Sequence, residues 1–199
     1  MTTNIRLNVP YFAQCDNEGW EEKSDAYMVP GNVQCAATSN SMLLNFMKPE
    51  LMPEALRVFP EFESFYKARF DSLGYSADDR GDHGCHTETL KTFGVNTEWR
   101  TNLTDADITK SLSNKFPVVV GFQYKVSGHI CLVVGRTNEG YLVHDPYGVR
   151  SGTSDSYSYI NPGYGDTSGA FDLYRWDTLE VTLFDGDGQR SGAWGRVAV

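Results

Sequence analysis

The chain has 199 residues, 40% of them hydrophobic and 13% aromatic, which is enough to bury a core in one domain or a tight pair. Its 17 basic residues against 26 dispersed acidic ones give a net charge of −9, which argues against nucleic acid, whose phosphates are bound by clustered Lys and Arg. The sequence contains no uninterrupted run of about 18 apolar residues, so we predict no membrane-spanning helix. The opening MTTNIRLNVP lacks the apolar core of a signal peptide, so we expect synthesis in the cytoplasm without a secretion signal.

The N-terminal part of the chain predicts one extended segment followed by a long helix. NIRLNVPYFAQ alternates in places and contains a proline, which is typical of extended chain or an edge strand. A polar loop that includes DNEGWEEKSD then leads from Cys15 to Val33. From Gln34 the apolar residues recur at helical spacing, and they predict a buried helix that begins within a residue or two of Cys35 and is broken by Pro49.

The middle of the chain alternates between helices and loops. A second helix is predicted from about Phe62 to Leu73, and the charged, glycine-bearing stretch SADDRGDHGCH predicts a loop after it. HTETLKTFG predicts a short helix with Gly94 at its C-terminal cap. VNTEWR then predicts a strand, and DADITKSLSNK a helix whose N-cap is Thr104 or Asp105.

Three β-rich runs follow, namely PVVVGFQY, GHICLVVGR and YLVHDPYG, the last two separated by the hairpin signal TNEG. They predict consecutive antiparallel strands. Beyond a glycine-, serine- and tyrosine-rich stretch that reaches Gly169, FDLYRW and LEVTLF predict further short helices or strands. We therefore expect one α+β domain over residues 1–199, with early helices packed on a late antiparallel sheet.

Cys35 is the first candidate catalytic residue because of its place at the start of a helix. The chain has four cysteines, and without a secretory segment we expect them to be free thiols. The first turn of a helix offers amide N–H groups and a partial positive charge, which favour a thiolate over a thiol. A cysteine in the core is ordinarily a small apolar side chain, so the helix start is what makes Cys35 a candidate nucleophile.

A base and an orienting group are present later in the chain. His129 begins one predicted strand, in SGHICLVVG, and Asp145 ends the next, in YLVHDPYG. Antiparallel strands joined by a tight turn bring the start of one beside the end of the other, so we expect the imidazole and the carboxylate to be hydrogen bonded. With Cys35 they make up the residue set of a Cys/His/Asp triad.

The segments VPYFAQ, QCAATSNSMLL and FPVVVGFQYKVSGHICLVVGRTNEGYLVHDPYG resemble the papain-fold cysteine peptidases related to bacteriocin-leader processing peptidases, in their stand-alone form. The likeness covers residues 9–48 and 103–148, about half the chain. It implies a papain-like fold in which Cys35 is the nucleophile, His129 the general base and acid, and Asp145 the orienting carboxylate. No cofactor is required for that chemistry.

The resemblance also implies an oxyanion hole made by a glutamine side chain and the backbone amide of the nucleophile. Gln14 in YFAQ matches the upstream glutamine of the family, although a loop of twenty residues separates it from Cys35. Gln34, directly before the nucleophile, is the alternative. We predict Gln14.

Two other motifs suggest metal sites, and both have simpler interpretations. DHGCH contains the potential zinc ligands His83, Cys85 and His86, but structural zinc sites commonly pair two short ligand motifs and no second one is visible. DGDG, from Asp185 to Gly188, lacks the later ligands of an EF-hand loop and favours a turn. We predict no metal site.

The substrate is expected to contain an amide bond. A small stand-alone enzyme of this kind resembles phage lysis enzymes (endolysins), which cut peptidoglycan peptides or the amide that links them to sugar. Peptidoglycan is therefore the leading substrate, with the bacterial cell wall as the place of action. The alternatives are a general protease, a non-catalytic papain-fold binding module, and a zinc amidase built around DHGCH.

Overall fold

The structure is a computed structural model, which describes residues 4–15, 33–123, 128–151, 158–159 and 168–199. The polar loop that contains DNEGWEEKSD lies outside the described residues, as does most of the glycine-, serine- and tyrosine-rich stretch. None of the described helices is both long and apolar enough to cross a bilayer.

The architecture is an antiparallel sheet with helices packed against it. Within the described residues, seven strands form the main sheet in the order β2-β9-β3-β4-β5-β8, with β1 pairing to the end of β4 on the edge opposite β5. The strands of this sheet are β1 (Ile5–Arg6), β2 (Thr97–Leu103), β3 (Val118–Phe122), β4 (His129–Arg136), β5 (Gly140–His144), β8 (Asp172–Arg175) and β9 (Ala193–Ala198). A separate pair is formed by β6 (Arg150–Ser151) and β7 (Ser158–Tyr159).

The predicted helices are present and accompanied by shorter ones. The α-helices of the described residues are α1 (Cys35–Met47), α2 (Met52–Ala55), α3 (Phe62–Ser72), α4 (His83–Thr92), α5 (Asp105–Ser113) and α6 (Trp176–Thr182). Single 3-10 turns cover Pro49–Leu51 and Ala77–Gly81. The three consecutive antiparallel strands predicted from the β-rich runs are confirmed as β3, β4 and β5.

Helix α1 lies at the centre of the molecule. Its side chains are buried almost throughout, with Met42, Leu43 and Leu44 fully inaccessible to solvent. The helix packs on β4 and is also in contact with α3 and α4. Pro49 follows it and opens a 3-10 turn, as expected of a residue that cannot continue a helix. The first residue of α1 is therefore held by packing along the whole helix behind it.

The SADDRGDHGCH stretch differs from its prediction as a loop. Ala77–Gly81 forms a 3-10 turn, and α4 begins at His83 instead of at His86, the first residue of the predicted helix. The physical reason is capping. The Asp82 side chain accepts hydrogen bonds from the amides of Gly84 and Cys85, which satisfies the first turn of the helix. Gly94 follows the helix in the left-handed region at φ 77°, the position predicted for its C-terminal cap.

The N-cap of α5 is Thr104, one of the two predicted residues, and Asp105 has another role. Both oxygens of Asp105 accept hydrogen bonds from Arg136, at 3.1 and 2.8 Å, and Tyr141 donates a third at 2.7 Å. These contacts join α5 to the β4–β5 hairpin, and they lower the pKa of Asp105 although partial burial alone acts in the opposite direction. The hairpin that presents His129 is therefore anchored at its far end.

The C-terminal segments complete the sheet. The middle of FDLYRW forms strand β8 (Asp172–Arg175), and the first four residues of LEVTLF end helix α6 (Trp176–Thr182). The DGDG segment lies in a turn between α6 and β9, as predicted. Strand β9 then lies between β2 and β3, so the last strand of the chain occupies the interior of the sheet.

Candidate active site

Cys35 is the first residue of α1, as the sequence predicts, and its side chain is half-buried. One turn later, the Ser39 hydroxyl donates a hydrogen bond to the carbonyl oxygen of Ile130 at 3.1 Å. Ile130 is the second residue of β4 and the neighbour of His129. This contact fixes the start of the helix against the start of the strand, so the thiol and the imidazole are brought together by the two best-packed elements of the fold.

His129 and Asp145 are hydrogen bonded, with His129 Nε2 2.7 Å from Asp145 Oδ1. His144, at the end of β5, is paired with Leu132 of β4, so Asp145 follows beside Cys131 and diagonally across from His129. The side chain of His129 is 8% exposed and that of Asp145 is fully buried. The two residues are thus brought together as neighbours on adjacent strands.

Asp145 has further partners that hold its carboxylate in one orientation. The backbone amide of Tyr147 donates to Oδ1 at 2.9 Å, and the hydroxyl of Tyr174 donates to Oδ2 at 2.5 Å. Its backbone carbonyl accepts a hydrogen bond from the Tyr11 hydroxyl at 2.8 Å, and its amide donates to Gly169. These donors supply the hydrogen bonds that a buried carboxylate requires.

The contacts of Cys35 and His129 favour a thiolate beside an imidazolium. Burial alone raises the pKa of Cys35, but the hydrogen bond and positive charge of His129, with the backbone amide of Ile130, lower it below the ordinary value. Burial alone lowers the pKa of His129, but the negative charge of Asp145 and the hydrogen bond to it raise that pKa well above the ordinary value. The two pKa shifts describe one interacting pair, in which the shared proton resides on the imidazole of His129 and not on the sulfur of Cys35.

The two candidate oxyanion glutamines face different surroundings. Gln14 is fully buried, and its backbone amide donates to the carbonyl of Pro146 at 2.8 Å, directly after Asp145. Gln34 lines an apolar pocket together with Tyr66 and His86 of α3 and α4. The backbone of Gln14 therefore lies beside the His129–Asp145 pair, whereas Gln34 borders the opposite side of α1. The role of Gln14 stays a prediction.

The DHGCH residues have other contacts. The ring of His83 stacks on Trp99 with 3.5 Å between ring centroids. The imidazole of His86 contacts the Tyr66 hydroxyl and the Arg80 carbonyl, each at 2.9 Å. Within the described ranges, these two histidines and Cys85 are not gathered into a set of three ligand atoms.

Several residues of the site were missed by the sequence reasoning. Cys131 lies beside His129 and Asp145, and a signal existed for it, because residues two apart in a strand share one face. Tyr147 follows Asp145 in DPYG, and its ring meets that of His129 edge to face, with 6.3 Å between centroids. No signal pointed to Tyr174, whose contact with Asp145 depends on the pairing of β8 with β5.

Comparison with known proteins identifies the family and the fold. The sequence profile of the peptidase C39-like family matches residues 6–171. A crystal structure of a candidate C39-like peptidase from Bacillus anthracis shares the fold, with a TM-score of 0.50 over 99% of this chain and 98% of that one, at 13% identity. No curated protein matches the chain. The predicted α+β, papain-like fold class is confirmed.

Proposed function

The chain belongs to the peptidase C39-like family, and on that premise we propose that it is a cysteine peptidase or amidase with Cys35, His129 and Asp145 as its triad. The observation that carries the proposal is a single imidazole in contact with two groups. His129 is hydrogen bonded to the Cys35 sulfur and, through Nε2, to Asp145 at 2.7 Å. A nucleophile in contact with a base, and a base held by an orienting carboxylate, are what nucleophilic catalysis requires.

In the first half of the reaction, the Cys35 thiolate attacks the carbonyl carbon of an amide. The carbonyl π electrons move to oxygen, which becomes an oxyanion held by the Cys35 backbone amide and the side chain of Gln14. His129 then gives its proton to the amide nitrogen, the C–N bond breaks, and the amine leaves. The acyl group remains on sulfur as a thioester.

In the second half, water releases the acyl group. The neutral imidazole of His129 takes a proton from water, whose oxygen attacks the thioester carbon. The C–S bond breaks and the carboxylic acid leaves, which regenerates the thiolate and the imidazolium. Asp145 holds the imidazole in orientation and stabilises its positive charge. Every proton is carried by a residue of the chain or by water.

For the substrate, we propose the peptides of peptidoglycan, cut within the stem or cross-link or at the sugar-to-peptide amide. The support is the resemblance to phage lysis enzymes of papain-like fold, together with a catalytic apparatus suited to amide bonds in general. In that role the protein would act on the cell wall as an endolysin. The net charge of −9 does not favour binding to an anionic wall, so recognition would depend on the peptide.

The experiment compares the protein with Cys35→Ala on purified peptidoglycan and on a mixture of unmodified peptides, with the released fragments identified by mass. Cys85→Ala is the matched control, since Cys85 is also a half-buried thiol near a helix start, on α4. We expect cleavage by the protein and by Cys85→Ala, and none by Cys35→Ala.

Each other result identifies an alternative. Cleavage of peptides alone would replace the peptidoglycan assignment with a general protease. Binding to peptidoglycan without cleavage would identify a non-catalytic module, and equal cleavage by Cys35→Ala would refute the thiol mechanism. Loss of activity on chelation, with a stoichiometric zinc, would identify a zinc amidase.

A further inference from the structure

Cys131 occupies a position that the proposed peptidase reaction does not use. It is fully buried on β4, two residues after His129, and paired with Val120 of β3. One potential ligand atom from each of His129, Cys131 and Asp145 lies within 4.8 Å of the other two. A buried cysteine is ordinarily a small apolar side chain, but this one faces the imidazole and the carboxylate of the site.

These three ligand types and their spacing suit a soft divalent cation. An imidazole nitrogen, a thiolate and a carboxylate oxygen are the groups that bind Zn²⁺, at about 2.0 to 2.3 Å each. Tetrahedral bonds of that length place ligand atoms about 3.4 to 3.8 Å apart. The three ligand atoms lie within 4.8 Å of one another, and an ion among them would replace the 2.7 Å hydrogen bond between His129 and Asp145. Three protein ligands leave a fourth position for water, as in zinc sites that are not closed.

We propose that His129, Cys131 and Asp145 form a site for Zn²⁺ or a similar soft divalent cation, and that the bound ion switches the catalytic apparatus off. Asp145 and Cys131 have no exposed surface, whereas His129 retains 8%. An ion therefore enters from the side of His129, the side on which Cys35 lies. Cys35 is not a member of the ligand group.

Inhibition follows from which groups the ion occupies, and this part rests on the proposed function. The peptidase needs one nitrogen of His129 to exchange a proton and the other to be held by Asp145. An imidazole bound to a metal through one nitrogen cannot become an imidazolium, so it cannot carry the proton that the leaving amine requires. Binding of the ion to the sulfur of Cys131 releases the proton of its thiol.

The test measures Co²⁺ binding to the reduced, full-length protein through the charge-transfer absorption that a thiolate gives to bound Co²⁺, with Zn²⁺ added in competition. The measurement is made on the protein and on Cys35→Ala, Cys131→Ser, Asp145→Asn and Cys85→Ser. We expect one saturable site that Zn²⁺ displaces. Cys131→Ser should lose the thiolate band, and Asp145→Asn should weaken binding at least tenfold, since even loss of an outer partner costs roughly 10- to 100-fold in metal affinity. Cys35→Ala and the matched control Cys85→Ser should keep the band.

The outcomes separate the site from the proposed function. No saturable band, a band that survives in Cys131→Ser, or a band lost in Cys35→Ala would each overturn the site. If circular dichroism shows that Cys131→Ser does not fold, the test rests on Asp145→Asn. An Asp145→Asn variant that binds Co²⁺ as tightly as the unaltered protein would then overturn the proposed site. None of these readouts needs peptide cleavage. Where cleavage is measured, each rate is divided by the rate of the same protein without zinc. The Zn²⁺ concentration that halves this ratio should be at least tenfold lower for the unaltered protein than for Cys131→Ser.

Discussion

Cys35 and Cys85 show how far the surroundings of a residue decide its chemistry. Both are half-buried thiols in the first turn of a helix, so the helix dipole favours both thiolates. Burial alone raises the pKa of each, and at Cys85 the nearby carboxylates of Asp82 and Asp79 raise it further. At Cys35 the contact with His129 outweighs burial and lowers the pKa. The partner, and not the helix start, distinguishes the candidate nucleophile.

Tyr174→Phe tests the support of the carboxylate. The change removes the hydroxyl that donates to Asp145 Oδ2 at 2.5 Å and leaves a ring of the same shape. A hydrogen bond to a buried charge contributes about 1.5 to 3 kcal/mol, so Asp145 should stabilise the imidazolium less and kcat/KM should fall roughly tenfold or more. The pH profile of kcat/KM distinguishes this from a packing defect, because the alkaline limb set by His129 should shift to lower pH. An unshifted limb would contradict a positioning role for Tyr174.

Gln14→Ala and Gln34→Ala form a pair that decides the oxyanion residue. Loss of one oxyanion donor costs about 10² to 10³ in kcat. We expect that loss for Gln14→Ala, because the Gln14 amide is hydrogen bonded to Pro146, which follows Asp145 of the proposed triad. Gln34 lines the pocket on the α3 and α4 side, so its replacement should change kcat much less. The rates are compared at saturating substrate, with thermal unfolding as a check that both variants fold. The reverse order would assign the oxyanion hole to Gln34.

At the scale of elements, the site depends on how closely neighbouring segments approach one another. Helix α1 is tied to β4 through Ser39 and Ile130, and the segment before β8 comes close to Asp145 at Gly169. A Cβ atom at Gly169 would lie 2.1 Å from the Asp145 carbonyl oxygen and 2.6 Å from the Tyr11 hydroxyl. Because backbone cannot move aside as a flexible side chain does, a glycine is required here.

Gly169→Ala should therefore displace Asp145 or the segment before β8. Overpacking of this kind typically costs about 1 to 3 kcal/mol, and we expect the free energy of unfolding to fall by an amount in that range. The fall in kcat/KM should be larger than the fraction of unfolded protein accounts for. Gly81→Ala is the matched control, since nothing lies within 4 Å of a Cβ at that glycine. Urea unfolding and kcat/KM are measured on both variants. Equal behaviour of the two would show that the approach at Gly169 is not required.

The sequence predicted the local parts of the site and not its longer-range contacts. The start of α1, the β4–β5 hairpin and the His129–Asp145 pair follow from helical and strand periodicity and from a short turn, all of which are local signals. Cys131 could have been predicted from the same alternation that places His129. The contact of Tyr174 with Asp145, and the position of β9 between β2 and β3, depend on pairings between distant segments that no local pattern specifies. The start of α4 was misjudged because a cap, Asp82, was interpreted as part of a charged loop.

At the scale of the whole molecule, the buried His86 and His144 and the half-buried His83 make the fold sensitive to acid. Burial lowers the pKa values of His83, His86 and His144 to about 4, and the charge of Arg196 adds to the effect at His83 and His86. The imidazole of His144 shows the structural reason, since its Nε2 contacts the Val9 carbonyl while its Nδ1 accepts a hydrogen bond from the amide of Phe171. A second proton on that ring would displace the amide.

Stability should fall as pH decreases from about 6.5 to about 4. Unfolded histidines titrate near pH 6.5, so below it the unfolded chain binds protons that the folded chain does not, and unfolding becomes more favourable. His129 does not offset the slope, because its pKa is raised on folding and its contribution is already complete below pH 6.5. The urea midpoint measured at several pH values should decrease through this window. A constant or rising midpoint would contradict the assignment of neutral, buried imidazoles.

The central claim, that His129 activates Cys35, is tested most directly by the pH dependence of iodoacetamide labelling, followed by mass analysis of each cysteine. In the unaltered protein Cys35 should be labelled at lower pH than Cys85, with an apparent pKa below the ordinary value of about 8.5. In His129→Ala the profile of Cys35 should move to higher pH, while that of Cys85 stays unchanged. Labelling of Cys35 only at or above the pH that labels Cys85, or a Cys35 profile unaffected by His129→Ala, would contradict the account.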